Sequence, residues 1–236
     1  MTGRSMMVLG AGALAVWCAP LLAWIDPLRF GVTPSLAGLG RADHLALTFD
    51  DGPDPASTPF VLAALDRLGW KATFFLLGSM TAAAPGLASE LVAAGHEVGA
   101  HGYYHQRSLL RSPGWLRDDL RRGIDIITSA TGARPQWYRP PFGELSAGAL
   151  VAARRSQVRP VLWSAWGRDW RAEATPSSVV ADLQGGILGG GTALLHDSDC
   201  TSAPGSWKVT VAALPLLASV VAEQGLHVGP LRDHSA

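Results

Sequence analysis

The chain has 236 residues, 48% of them hydrophobic and 16% charged, with 19 basic residues balancing 19 acidic ones. That length suits a single domain, and that apolar content supplies a core and excludes global disorder. Zero net charge without a basic stretch gives no footprint for nucleic acid, which is not an expected partner.

In chain order the first feature is an apolar run. No charge occurs from Met6 to Ile25, with Arg4 before it and Asp26 after it. A run of about 20 residues is long enough to cross a bilayer as a helix, and longer than the usual apolar part of a cleaved signal peptide. Residues 1–30 are therefore read as a membrane anchor or signal segment, with the anchor favoured and the rest of the chain placed outside the cytoplasm, membrane-anchored or secreted. A buried helix of a soluble domain is the competing reading. Residues 31–43, rich in Pro, Gly and Leu, read as a linker, 44–231 as one folded domain and 232–236 as a tail. Cys18 lies in the apolar run, so no disulfide to Cys200 is expected.

From His44 onward, strand and helix patterns alternate. Strands are predicted over 45–49, 72–76, 97–99, 137–139, 160–163, 192–195 and 226–228. Helices are predicted over 58–68, 86–94, 112–131, 146–155, 177–187 and 209–224. Ser57, Ser112, Ser146 and Pro176 mark helix starts, and Gly69, Gly95, Gly132 and Gly225 mark stops. Regular alternation implies a parallel sheet. Seven strands of this kind suggest an α/β fold built as an incomplete or distorted barrel, with an open doubly wound sheet as the alternative.

Polar clusters stand at the carboxyl ends of these strands, the edge that carries the site in either architecture. Asp50-Asp51 ends the first, and Gly52-Pro53 turns the chain there. His101 follows the third, Arg139 ends the fourth, Asp169-Trp170 follows the fifth, and His196-Asp197 ends the sixth. Adjacent carboxylates at the mouth of a buried strand are tolerated when a cation neutralises them or one is held protonated. His101 and His105, four apart, would share a face on a helical turn. With one Asp they form a two-histidine, one-carboxylate set that leaves positions open, as a catalytic metal requires. The second Asp is then free to act as a base, and Arg139 can hold it with paired hydrogen bonds. Asp169 would keep His196 protonated or fix its tautomer. His44, His96, His227 and His234 have no partner at ligand spacing. Nine tryptophans are available for core packing or for stacking on sugar rings. Trp166 and Trp207 are open to either use, whereas core is the safer reading for Trp163.

These motifs together resemble the NodB-homology polysaccharide deacetylases, carbohydrate esterase family four. Thr48-Phe49-Asp50-Asp51-Gly52-Pro53 matches the first family motif and His101 to His105 the second. Arg139-Pro140-Pro141-Phe142-Gly143, Asp169-Trp170 and Leu194-Leu195-His196-Asp197 resemble the third, fourth and fifth. All occur in family order, and the likeness covers roughly residues 43–231. The resemblance implies a distorted (β/α)7-type barrel and metal-dependent removal of acetyl groups from N-acetylated sugars of a glycan. By the same likeness Asp50 is the base, and Asp51, His101 and His105 hold one divalent metal, zinc expected and cobalt or manganese as alternatives. Arg139 orients Asp50, and the Phe142 N–H helps stabilise the oxyanion. Asp169 tunes His196, the acid, and Trp170 with Leu194 or Leu195 lines the acetyl pocket. The expected partners are a glycan substrate and a membrane, with the chain a monomer. The alternatives are an O-acetyl esterase on xylan-like glycans, a deacetylase of a small or lipid-linked sugar, and a non-catalytic sugar-binding protein. One departure stands out. Gly102 occupies the position after the first histidine, where the family carries Ser or Thr, whose hydroxyl supports the metal-site loop. Tyr103 and Tyr104 are expected to shape the groove, and Cys200 to be a small core residue.

Overall fold

The computed structural model describes residues 16–187 and 189–234. Its organising element is β1 (His44–Asp50), buried along its whole length. The strands β2 (Thr73–Leu76), β3 (Glu97–Ala100), β4 (Trp137–Tyr138), β5 (Arg159–Pro160), β6 (Ala165–Trp166), β7 (Thr192–His196) and β8 (His227–Gly229) complete the sheet. They are ordered β5-β4-β3-β2-β1-β7-β6, with β8 beside the start of β1, and every pairing is parallel. The result is the expected α/β barrel-type fold, curled into a half-barrel. It has one strand more than the sequence pattern indicates, because β6 is only two residues long and carries no periodicity to read.

Period-two alternation sorts the two faces. Leu45, Leu47 and Phe49 of β1, Phe74 and Leu76 of β2 and Ala193 and Leu195 of β7 join the main core under the helices. Ala46 and Phe75 face the other way, into a cluster with Trp137, Val161 and Leu231. Fully burying each large side chain contributes about 1.5–3 kcal/mol. The helices are α1 (Asp26–Val32), α2 (Thr58–Leu68), α3 (Gly78–Ala83), α4 (Pro85–Ala93), α5 (Pro113–Thr131), α6 (Ala147–Arg155), α7 (Pro176–Gln184) and α8 (Ser206–Glu223). Ser112 and Ser146 cap α5 and α6 by accepting the N–H groups of Trp115 and Ala149. Thr175, not read as a cap in the sequence, forms a reciprocal capping box with Ser178 at α7. One described helix, α8, is long and apolar enough to cross a membrane. It buries Thr210, Ala213, Leu214, Leu217 and Val221 in the domain, as a core helix does.

The segment read as a linker is built into the barrel. Leu36 O accepts the Leu162 N–H at 2.7 Å, the Gly40 N–H donates to Gly190 O at 2.9 Å, and Ala37 is buried. The tail is tied down as well, since His234 O accepts the Arg41 N–H and the His234 ring is buried against His44, Nδ1 to Nδ1 at 2.8 Å. These two histidines are 190 residues apart, which is why spacing did not pair them. Of the apolar run, residues 6–15 lie outside the described residues. At its described end Trp17 packs against the domain, donating its ring N–H to Leu109 O at 3.3 Å.

Candidate active site

The site forms where β1, β3, β4 and β7 end. Asp50 is the last residue of β1, and alternation puts its side chain on the concave face with Thr48. Asp51 follows with φ of 84°, a left-handed conformation that costs a non-glycine residue about 1–3 kcal/mol and clusters at functional sites. Gly52 is obligatory, because a Cβ there would lie 2.1 Å from Asp197 Oδ2. Asp197 accepts the Gly52 N–H at 3.1 Å and the Thr58 hydroxyl at 2.5 Å, tying the loop after β7 to the loop after β1. Burial pushes its carboxyl up to about 7.

Asp51, His101 and His105 each offer one ligand atom within 4.8 Å of the others. Asp51 Oδ1 lies 3.4 Å from His101 Nε2 and 3.3 Å from His105 Nε2. The tautomer of His101 follows from its other nitrogen. Nδ1 is 2.8 Å from Arg139 O, and a carbonyl only accepts, so Nδ1 carries a proton and the neutral ring presents its lone pair at Nε2. The buried Asp51 Oδ1 accepts no hydrogen bond. A carboxylate oxygen and an imidazole lone pair facing each other in a buried site repel unless a cation lies between them. Burial, opposed by the Asp51 charge, pushes His105 down to about 4, which leaves its ring neutral at neutral pH. Burial works against the Asp51 carboxylate, yet it lies below the usual carboxylate range, and the protonated His196 is a nearby charge that favours its ionised form. One carboxylate and two imidazoles fit a divalent metal of the zinc type, and the hydrogen bond behind His101 is the support such ligands have.

The two histidines do not share a helical turn. His101 directly follows β3, and Gly102 at φ of 88° starts a loop that brings His105 back beside it, with ring centroids 5.3 Å apart.

Asp50 points beside this cluster. Arg139, completely buried just past β4, donates from Nη1 to Asp50 Oδ1 at 2.7 Å and to Thr48 Oγ1 at 2.8 Å, and from Nη2 to Leu162 O at 2.7 Å. Asp50 Oδ2 is left 3.9 Å from His101 Nε2. His196 is the register partner of Asp50 on the neighbouring β7. Its Nδ1 is 2.7 Å from Asp169 Oδ1, and its own N–H donates to Asp169 Oδ2, which also accepts the Thr210 hydroxyl. Burial lowers the proton affinity of His196, but the Asp169 charge and hydrogen bond outweigh it and raise the imidazole to about 10.

A cleft of about 670 Å³ opens over these groups. Asp50, His101, His105 and His196 line it together with Phe142, Trp163, Trp166, Trp170 and Leu194. Phe142 has φ of 58°, a second left-handed position at the site. Trp170 stacks on Trp166 with centroids 6.2 Å apart. Trp163, assigned to the core from sequence, is buried yet forms part of this wall. Leu195 does not reach the cleft, since it points into the main core while Leu194 faces the pocket. Trp207 lies elsewhere, stacked on Phe60 at 4.9 Å. Tyr103 turns toward α5, where its hydroxyl accepts from Arg122 at 3.0 Å, and neither it nor Tyr104 lines the cleft. Cys200 is exposed, not a core residue, and both cysteines are free.

Sequence reasoning missed Thr201, whose hydroxyl donates to Asp51 Oδ2 at 2.6 Å, and the Arg107–Glu144 ion pair on the cleft wall. Neither carries a local pattern. Both are loop residues that only the fold brings to the rim.

The chain resembles known proteins in both sequence and fold. Residues 38–161 match the polysaccharide deacetylase family. The chain is 32% identical over 210 residues to a chitooligosaccharide deacetylase of Bradyrhizobium sp. (strain ANU 289), covering 86% of this chain and 95% of that protein. It superposes with a TM-score of 0.79 and 27% identity on a peptidoglycan N-acetylglucosamine deacetylase solved in complex with 4-naphthalen-1-yl-N-oxidanyl-benzamide, covering 88% of this chain and 97% of that one. It also resembles a CE4 family pseudoenzyme from Bacillus anthracis, with a TM-score of 0.73, 26% identity, and 81% and 65% coverage. The match over more than half the chain and the near full-length relative settle the family: the chain belongs to the polysaccharide deacetylases of the NodB-homology, CE4 type.

Proposed function

We propose that the protein is a metal-dependent hydrolase that removes acetyl groups from N-acetylated sugars of a glycan. The observation that carries this reading is a single cleft holding a three-residue metal site between a carboxylate braced by Arg139 and an imidazole braced by Asp169. Asp51, His101 and His105 would hold the metal, zinc in the first instance. When bound, such an ion supplies Lewis acidity, acidifying water and offsetting charge on the acyl oxygen.

The chain's own groups divide the remaining work. Arg139 occupies Asp50 Oδ1, so Oδ2 is the oxygen free to take a proton from the attacking water. The Phe142 N–H is assigned to the developing oxyanion, a contribution worth a few kcal/mol. Asp169 keeps His196 protonated at neutral pH, and with Nδ1 engaged its Nε2–H is the proton available to the departing amine. The C–N bond then breaks, acetate retains the new C–O bond, and the amine leaves protonated. Leu194 and Trp170 would enclose the acetyl methyl, and the Trp166–Trp170 pair offers apolar faces to a sugar ring. The apolar run at residues 6–25 supports a membrane-held, extracytoplasmic enzyme.

The named relatives act on chitooligosaccharide and peptidoglycan, which supports amide over ester substrates. A non-catalytic role would be marked by lost catalytic groups, and here Asp50, Asp51, His101, His105, Arg139, Asp169 and His196 are all present and converge. The test is acetate release by the purified full chain from chitin oligomers and from acetylated xylan. Release from chitin oligomers supports the proposal, release from xylan alone makes the protein an O-acetyl esterase, and release from neither removes the polymer substrates.

A further inference from the structure

The loop that carries both imidazoles has no hydroxyl at position 102, and Gly102 cannot be replaced simply. Its φ is 88°, and a Cβ there would sit 2.8 Å from Asp119 Oδ2 on α5. Asp119 reaches the loop with both oxygens. Oδ2 accepts the Tyr103 N–H at 2.9 Å and Oδ1 the Tyr104 N–H at 3.1 Å. Successive backbone N–H groups directed at one anion form a concavity that a carboxylate fills well. One turn further along α5, Gly123 lets the helix come close enough, since a Cβ there would lie 2.7 Å from Gly102 O. The opposite edge of the loop is pinned by α3, whose Gly78 and Ser79 N–H groups donate to Gly102 O and Tyr103 O.

We propose that Asp119 is a positioning residue for the metal site, clamping the Gly102–Tyr104 backbone so that His101 and His105 converge on Asp51. The clamp replaces the missing hydroxyl, and the two solutions exclude each other sterically, because a side chain at 102 would occupy the space of the Asp119 carboxylate. Asp119 touches neither ligand. It acts through the two peptide groups between them, so its loss lets the His101–His105 spacing relax while leaving the ligand set intact.

This inference rests on the three-residue metal site, and its test separates the two. Full-length wild type, Asp119→Ala, Asp119→Asn and the control Asp118→Ala are stripped of metal. Zn²⁺ affinity is then measured by competition with a chromophoric chelator, and melting of each metal-free protein is recorded alongside. Asp118 is an exposed neighbour paired with Arg117 and should match wild type. Asp119→Ala is expected to weaken Zn²⁺ binding about 10–100-fold, the usual effect of removing support behind a ligand. Asp119→Asn keeps one acceptor oxygen and should fall between. Lowered melting with unchanged Zn²⁺ affinity in the folded variants would make Asp119 merely structural and overturn the proposal. If Asp119→Ala does not fold, unchanged affinity in Asp119→Asn overturns it equally. Wild type that binds no Zn²⁺ would instead overturn the metal site itself.

Discussion

Asp50 and His196 are register partners on adjacent parallel strands, and each is held by a group of opposite charge reaching in from another element. Arg139 fixes Asp50 at 2.7 Å and Asp169 fixes His196 at 2.7 Å. The same strand edge thus carries a carboxylate braced by a guanidinium and an imidazole whose proton is held by a carboxylate. Such a division of roles by environment is what general acid–base hydrolysis requires.

Replacing the base tests half of that division. Asp50→Asn should lower kcat by about 10²–10⁴-fold, the range general acid–base groups supply, while Zn²⁺ binding persists through Asp51, His101 and His105. Stability should drop as well. Arg139 is completely buried, and stripping a buried ion of its partner costs about 3–5 kcal/mol. Urea unfolding and single-turnover kinetics on the same samples read the two effects separately.

The acid is tested by pH. His196 is raised in the folded state to about 10, above the ordinary histidine value of 6.5. Its contribution to stability is therefore fully present below about pH 6.5 and is lost as pH rises through about 10. Asp169→Asn removes the charge that raises it, so the alkaline limb of the kcat profile should move down toward neutrality. The loss of stability between those two pH values should flatten. A profile identical to wild type would remove Asp169 from this role.

Thr201 donates to the Asp51 oxygen that does not face the imidazoles. Thr201→Val keeps the shape and deletes the hydroxyl. Zn²⁺ affinity should fall about 10-fold or more by loss of support behind the ligand, measured by chelator competition.

Leu194 and Leu195 are adjacent, but period two sends them to opposite faces. Leu195→Ala should destabilise the fold by about 2–5 kcal/mol and leave kcat/KM of the folded fraction unchanged. Leu194→Ala should lower kcat/KM about 10-fold or more by enlarging the acetyl pocket. Equal effects of the two on kcat/KM would contradict the assignment of Leu194 to the pocket.

The sequence pattern made the strand ends legible because parallel strands are continuous apolar runs, and each polar cluster breaks one of them at its carboxyl end. Asp50, His101, Arg139 and His196 were readable for that reason. What escaped was set by distance in sequence or by parity. The two-residue β6 has no period to detect, and the six-residue α3 is too short to show a helical one. Leu194 and Leu195 could not be separated without knowing which face of β7 is concave. Thr201, Asp119 and the His44–His234 pair are contacts made across 150, 15 or more, and 190 residues, which local spacing cannot encode. The expected helical turn for His101 and His105 failed at Gly102, whose positive φ makes a loop of it.

If a metal held by Asp51, His101 and His105 drives de-N-acetylation, turnover must follow the occupancy of that site. The most direct measurement is acetate release from chitin oligomers by the full chain, first stripped of metal and then titrated with Zn²⁺. The expected result is no release without metal, recovery that saturates at one Zn²⁺ per chain, and no recovery in His101→Ala. Undiminished release from the stripped protein, or full recovery in His101→Ala, would contradict it.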